Sequence, residues 1–182
     1  AVRPNQILAL SLPYPILTGP KARAALRAVE EALVTPSGLR SLAPGDPAYR
    51  PRYEGDVRSR DGAYHQGTVW TWLLGPYADA VARIEGAVGK RKIAKIAEQL
   101  AGLLEGPGAG TIPEICDGAA PHEPRGCVSQ AWSVGEALRV WRRAASVTTS
   151  RSKTPAKKPS RTPSASGTKS SARGRDKAAR AE

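Results

Sequence analysis

Apolar residues recur along this chain at helical spacing. Ala22, Ala25, Leu26, Val29, Ala32 and Leu33 fall on one stripe of a 3.6-residue helix, bracketed by Thr18-Gly19-Pro20 and Thr35-Pro36-Ser37-Gly38. Ile93, Ile96, Ala97, Leu100, Leu103 and Leu104 repeat the spacing, with Lys90, Arg91, Lys92 and Lys95 toward the solvent side. Val69, Leu73, Tyr77, Ala80, Val81 and Ile84 predict a third stripe, and Ala131, Trp132, Gly135, Leu138 and Trp141 a fourth. A short helix from about Asn5 to Leu12 stops before Pro13, because a residue preceding proline is pushed out of helical geometry. No run of β-branched residues alternates with polar ones, and no hairpin turn joins two such runs. The expected fold class is therefore all-α.

Two long connections interrupt the helices. Residues 41–67 are rich in Gly, Pro, Arg, Asp and Tyr, and residues 106–126 in Gly and Pro. Connections beyond about a dozen residues in a compact domain are functional or disordered, and the apolar and aromatic anchors here favour function. From residue 146 onward the chain turns to Ser, Thr, Lys, Arg, Ala and Pro without an aromatic residue. Such a segment buries too little surface to offset its ordering entropy. The expected division is a folded portion, residues 1–145, and a disordered basic tail, residues 146–182.

Charge follows the same division. Of the formal net charge of +12, two thirds lies in the final 37 residues, leaving the body mildly basic. The tail has the cations for non-specific contact with nucleic acid or another polyanion, but no aromatic for base stacking. A noncatalytic helical module carrying such a tail is the alternative reading of the chain. No apolar run reaches the length of a bilayer span, so no membrane partner is expected. The sequence lacks Met, and its first residues read as the middle of a domain. Cys116 and Cys127 lack metal-ligand spacing, and two free thiols in a cytoplasmic protein are expected.

Chemistry-bearing residues gather in three stretches. Arg3-Pro4-Asn5-Gln6 opens the first helix, and Arg60-Asp61-Gly62-Ala63-Tyr64-His65-Gln66-Gly67-Thr68-Val69-Trp70-Thr71-Trp72 leads into the third stripe. Thr111-Ile112-Pro113-Glu114-Ile115-Cys116-Asp117-Gly118 precedes Gly126-Cys127-Val128-Ser129-Gln130-Ala131-Trp132-Ser133. In a ring of antiparallel helices these stretches can share one face. Indole faces stack on a pyranose, while amide, imidazole and guanidinium groups satisfy its hydroxyls. Each residue also has a plainer role. Trp70 and Trp72 suit core and sugar contact equally, Trp141 suits core, and His65 suits a satisfied structural histidine. Glu114 suits a helix-dipole partner, and Asp61 and Asp117 suit turns or caps.

The strings RPNQILALSLP, GLRSLAPGDPAYRPRYEGDVRSRDGAYHQGTVWTW, TIPEICDG and GCVSQAWSVGEALR resemble successive motifs of the bacterial amylo-α-1,6-glucosidases, the glycogen-debranching glucosidases. They occur in the family's order and cover nearly all of residues 1–141. The resemblance implies the carboxy-terminal portion of an (α/α) six-hairpin toroid, like that of glucoamylases, completed by a missing amino-terminal part of the same catalytic domain. It implies a cytoplasmic hydrolase acting on the α-1,6-linked glucose of glycogen or a branched limit dextrin, with inversion and two carboxyl groups. Glu114 matches the Pro-Glu motif that carries the general base, with the general acid expected upstream. Arg3, Asn5, Tyr64, His65, Gln66, Trp70, Gln130 and Trp132 match positions around the sugar. No metal or organic cofactor is implied. Two positions depart from the pattern: Thr71 replaces a proline, and Cys116 replaces an aromatic residue.

Overall fold

A computed structural model describes residues 1–106 and 110–149 of the chain. The expected disordered tail lies outside the described residues, apart from the few that extend the last helix. Among the described residues there are six α-helices and a small sheet. Helix α1 (Asn5–Ser11) buries Ile7 and Leu10 and ends at Leu12, whose extended ψ of 153° is what the following Pro13 demands. Helix α2 (Gly19–Ala32) carries Pro20 in its first turn, where the missing N–H costs nothing, and buries Ala22, Leu26 and Val29. Helix α5 (Gly89–Leu104) buries Ile93, Ile96 and Leu100 on the expected stripe. Lys92 leaves its solvent side to bridge Glu30 of α2 and Glu85 of the neighbouring helix, at 2.8 and 2.6 Å.

The all-α expectation is corrected by an antiparallel sheet of five strands in sequence order. These are β1 (Val34–Thr35), β2 (Gly38–Arg40), β3 (Val69–Trp70), β4 (Ile115–Cys116) and β5 (Pro124–Arg125). Each has two or three residues, too few to show an alternation of period two. Val69, Trp70, Ile115 and Cys116 are moreover all buried, so β3 and β4 have no polar face to reveal them. Only β1–β2 and β4–β5 are local hairpins. Strand β2 pairs with β3 (Leu39 opposite Trp70) and β3 with β4 (Trp70 opposite Ile115) across long connections.

The sheet also corrects the third stripe. Val69 and Trp70 belong to β3, Thr71–Leu73 form a single 3₁₀ turn, and helix α4 begins only at Leu74 and runs to Glu85. It is the central helix, packed by α1, α2, α5 and α6, and its first turns are apolar on every side. A further short helix, α3 (Val57–Ala63), lies inside the connection 41–67, capped by Asp56 accepting from the Ser59 amide at 2.8 Å.

Helix α6 (Ala131–Thr149) exists as expected and runs four residues past the expected boundary, but its inward face is different. Ser133, Ala137 and Val140 are buried, while Trp132 and Leu138 are more than half exposed. Small residues at 133 and 137 let α6 approach α4 and the 3₁₀ turn closely, which turns the large apolar residues outward. Trp141 packs against the core and donates its indole N–H to the Ala97 carbonyl at 2.9 Å.

Candidate active site

Three strand ends converge on one carboxylate. Glu114 immediately precedes β4, Tyr64 lies in the turn that leads into β3, and Cys127 follows β5. The Tyr64 carbonyl is fixed by two donors, the Thr68 hydroxyl at 2.5 Å and the Trp70 indole at 3.2 Å. Its ring sits among Tyr53, His65 and Trp70, with centroids 5.7, 4.9 and 4.9 Å away. From there the phenol donates to Glu114 Oε1 at 2.5 Å. Burial, then the adjacent carboxylate, pushes the Tyr64 phenol well above its ordinary range, so it stays a donor at neutral pH.

Two further donors complete the seat. Gln130 Nε2 reaches Oε1 at 3.1 Å, and the Cys127 backbone N–H reaches Oε2 at 3.1 Å. Three donors thus converge on one half-buried carboxyl group, which has the acceptor sites to take them all. The Gln130 amide is oriented in turn by the buried Ser133 hydroxyl, which donates to its Oε1 at 2.9 Å. Backbone bonds from Glu114 to Cys127 and from Gln130 to Ile112 tie the carboxylate's loop to the start of α6. Among the described residues Oε2 has the Cys127 amide as its one donor.

The expected sugar-contact residues divide into two groups. Tyr64 and Gln130 spend their polar atoms on Glu114 and hold it in place. Arg3 and Gln66 are also engaged. The Arg3 guanidinium donates to the Ser41 and His65 carbonyls at 3.2 and 2.9 Å and to Gln66 Oε1 at 2.8 Å, tying α1 to the turn after α3. Asn5 and His65 are exposed, and their side chains make no hydrogen bond among the described residues. His65 stacks flat on Trp70, with ring centroids 5.1 Å apart and an angle of 3°. Trp132 stacks on Trp72 at 3.9 Å and keeps 53% of its surface exposed.

Two concavities lie near Tyr64, whose ring packs on His65 and Trp70 of one and whose phenol bonds Glu114 of the other. One, of about 350 Å³, is walled by the His65–Trp70 and Trp72–Trp132 stacks and rimmed by Arg3 and Asn5. The other, about 650 Å³ and wide open, holds Glu114 with Tyr53, Glu54, Arg60, Arg125 and Cys127. Of the expected sugar-contact residues, Arg3, Asn5, His65, Trp70 and Trp132 line the first concavity, whereas Glu114 lines the second. A cleft of about 440 Å³ behind the β4–β5 hairpin, bordered by Leu103 and His122, does not include Glu114.

Asp117, the next carboxylate of the same motif, is enclosed. It is fully buried, accepts from the Tyr53 amide at 2.8 Å, and is gripped by Arg125 at 3.0 and 3.2 Å and Arg52 at 3.5 Å. Asp61 is exposed on α3. The two departures from the family pattern meet each other. Burial pushes the Cys116 thiol up to about 11, and the Thr71 and Ser37 hydroxyls beside it act in the opposite direction. Both cysteines are free, Cys116 buried and Cys127 exposed. Among the described residues no cluster of His, Cys, Asp or Glu is arranged to hold a metal, and no helix is long and apolar enough to cross a membrane. Sequence reasoning missed Tyr53, Ser133 and the Cys127 amide. An aromatic residue in a polar loop was the one signal for the first, and a backbone donor leaves none.

Comparison with known proteins agrees with the family resemblance. The chain is 35% identical over 85 residues to a glycogen debranching enzyme of Saccharomyces cerevisiae, an alignment covering 43% of this chain and 6% of that protein. The chain thus spans a small part of that relative's length. The family described as amylo-alpha-1,6-glucosidase matches residues 1–139. The chain belongs to the amylo-alpha-1,6-glucosidase family.

Proposed function

We propose that Glu114 is the general base of an inverting glucosidase that removes the α-1,6-linked glucose from a branched limit dextrin in cytoplasmic glycogen breakdown. The general acid comes from another segment of the complete catalytic domain. Helices α1, α2 and α4–α6 are then part of an (α/α) toroid, and residues 146–182 stand outside the chemistry. Apolar side chains left exposed on α6 (Val134, Leu138) and after α1 (Leu12, Tyr14, Ile16) support further helices packing there.

The observation that carries the reading is the seat of Glu114. Its Oε1 accepts from Tyr64 and Gln130, its Oε2 accepts from one backbone donor, and the residue lines an open, polar concavity. A water on Oε2 gives up its proton to the carboxylate as its oxygen attacks the anomeric carbon. The acid protonates the departing glycosidic oxygen from the opposite face. Inverting pairs lie roughly 6.5–9.5 Å apart to admit that water, so the acid belongs across the concavity. The neighbouring aromatic slot, with indole faces and the unengaged Asn5 and His65, suits an adjoining sugar unit of the glucan.

The test is Glu114→Gln in the complete enzyme. The amide keeps the size of the side chain and one acceptor, so folding and dextrin binding persist. Glucose release falls by about 10²–10⁴-fold, the usual cost of a lost positioned base. Release within a few-fold of the parent enzyme overturns the assignment.

A further inference from the structure

The buried carboxylate of Asp117 lines neither concavity near the proposed base, yet it is held by donors on both oxygens. Strand β4 separates the two by two residues, and their side chains serve different segments. Asp117 Oδ1 accepts from the Tyr53 amide at 2.8 Å; Oδ2 accepts from Arg125 Nε and Nη2 at 3.2 and 3.0 Å, with Arg52 at 3.5 Å. Both anchored segments continue directly to the seat of Glu114. Tyr53 packs its ring on Tyr64, the phenol that donates to Oε1. Arg125 pairs opposite Ile115 and leads through Gly126 to Cys127, whose amide donates to Oε2.

We infer that Asp117 is a positioning residue, a buried clamp that sets the distance between the Tyr64 side and the Cys127 side of the Glu114 carboxylate. The inference rests on the reading of Glu114 as the base and adds where its geometry comes from. A fully buried carboxylate is retained in a fold only when paired and hydrogen-bonded, and this one has donors on both oxygens. The guanidinium fork of Arg125 fixes direction as well as distance, which a single contact does not. Arg52, 42% exposed and farther away, adds charge but little aim.

Asp117→Asn tests the clamp without changing its volume. The amide keeps an acceptor for the Tyr53 amide but presents N–H groups to the Arg125 fork. Arg125→Gln breaks the same contact from its more exposed side and is the second variant should Asp117→Asn not fold. The first measurement is amide exchange at Cys127 and Glu114 in the chain itself, which requires no turnover. Exchange at these two amides rises roughly tenfold or more, while the Ser41 amide, bonded to Thr68 in the neighbouring pair, keeps its protection. The Cys116 thiol stays closed to reagent, reporting an intact core. In the complete enzyme kcat falls by up to about 10²-fold with KM little changed, since misplacing a reacting group by about 1 Å costs that much. The double variant is no worse than the single ones, as expected for one shared contact.

Unchanged exchange at Cys127 in a folded variant overturns the inference. So does simultaneous opening of Cys116 and the Ser41 amide in both variants, which makes Asp117 a general structural pin. A parent enzyme that releases no glucose from dextrin sinks the hydrolase reading alone; the exchange measurement still decides whether Asp117 positions Glu114.

Discussion

Gly126 sits where the proposed base has least room to move, and Gly126→Ala puts a number on that. The residue has φ +67°, and a β-carbon built on it falls 2.5 Å from Glu114 Oε2, 3.0 Å from Ile115 Cγ1 and 3.4 Å from Glu114 Cβ. The left-handed backbone alone costs alanine roughly 1–2 kcal/mol. Ile115 is buried in β4 and cannot yield. The carboxylate must therefore retreat by about 1 Å to reach ordinary contact distance, and it leaves the Cys127 amide as it goes. Its charge is rehydrated from the open concavity, so the stability loss stays near the backbone term. The catalytic loss does not: a displacement of about 1 Å is worth about 10²-fold in rate.

Two assays separate the terms. Urea unfolding followed by tryptophan fluorescence reads the first, and initial rates of glucose release from a limit dextrin by the complete enzyme read the second. The reasoning fails if stability drops as stated while kcat stays within about threefold of the parent. Glu114 would then not depend on its seat, and its role as base would lose its geometric basis.

Two further outcomes concern the fold. Gly102 lies within α5 with nothing within 4 Å of an added β-carbon, so Gly102→Ala raises stability by about 0.5–1 kcal/mol, read as a higher urea midpoint with an unchanged slope. Burial raises the Cys116 thiol from 9.0 to about 11, so the folded state holds that proton more tightly than the unfolded chain. The contribution is complete below about pH 9 and is lost as pH rises toward 11, a change of roughly 2–3 kcal/mol. Unfolding free energies at pH 8 and 11 show it, and Cys116→Val removes that component; an equal pH dependence in both proteins contradicts the assignment.

How much of this was legible in the sequence differs by element for physical reasons. Helices α2 and α5 are long and bury one face, so their stripes identify the right residues. Helix α6 was legible as a helix but not in its facing, because its inward positions are the small Ser133 and Ala137 while hydrophobicity alone points to Trp132 and Leu138. The run from Val69 to Leu73 is apolar because it is buried in a sheet and a 3₁₀ turn, and a buried strand gives no period to read. Glu114, Tyr64 and Gln130 were legible through the order of their motifs. Their division of labour was not, since side-chain pairing such as Arg3 with Gln66 is decided by residues 63 apart.

The sheet that periodicity could not reveal is the part of the fold that bears most directly on the site. Helices packed through apolar stripes can slide by fractions of an ångström, because dispersion contacts are many and individually weak. Backbone ladders are less forgiving: each bond fixes one donor against one acceptor. Strand β4 lies between β3 and β5, so the carboxylate at its start is held in register with the turn carrying Tyr64 on one side and the Cys127 amide on the other. Five strands of two or three residues contribute little to stability on their own. Their role follows from what they set side by side: β4 starts next to Glu114, β5 leads on to Cys127 and the Tyr64 turn leads into β3, while α1, the 3₁₀ turn and α6 bring Asn5, Trp72 and Trp132 to the neighbouring wall. A helical scaffold that is to hold a proposed base to within about 0.5 Å has reason to keep a sheet this small.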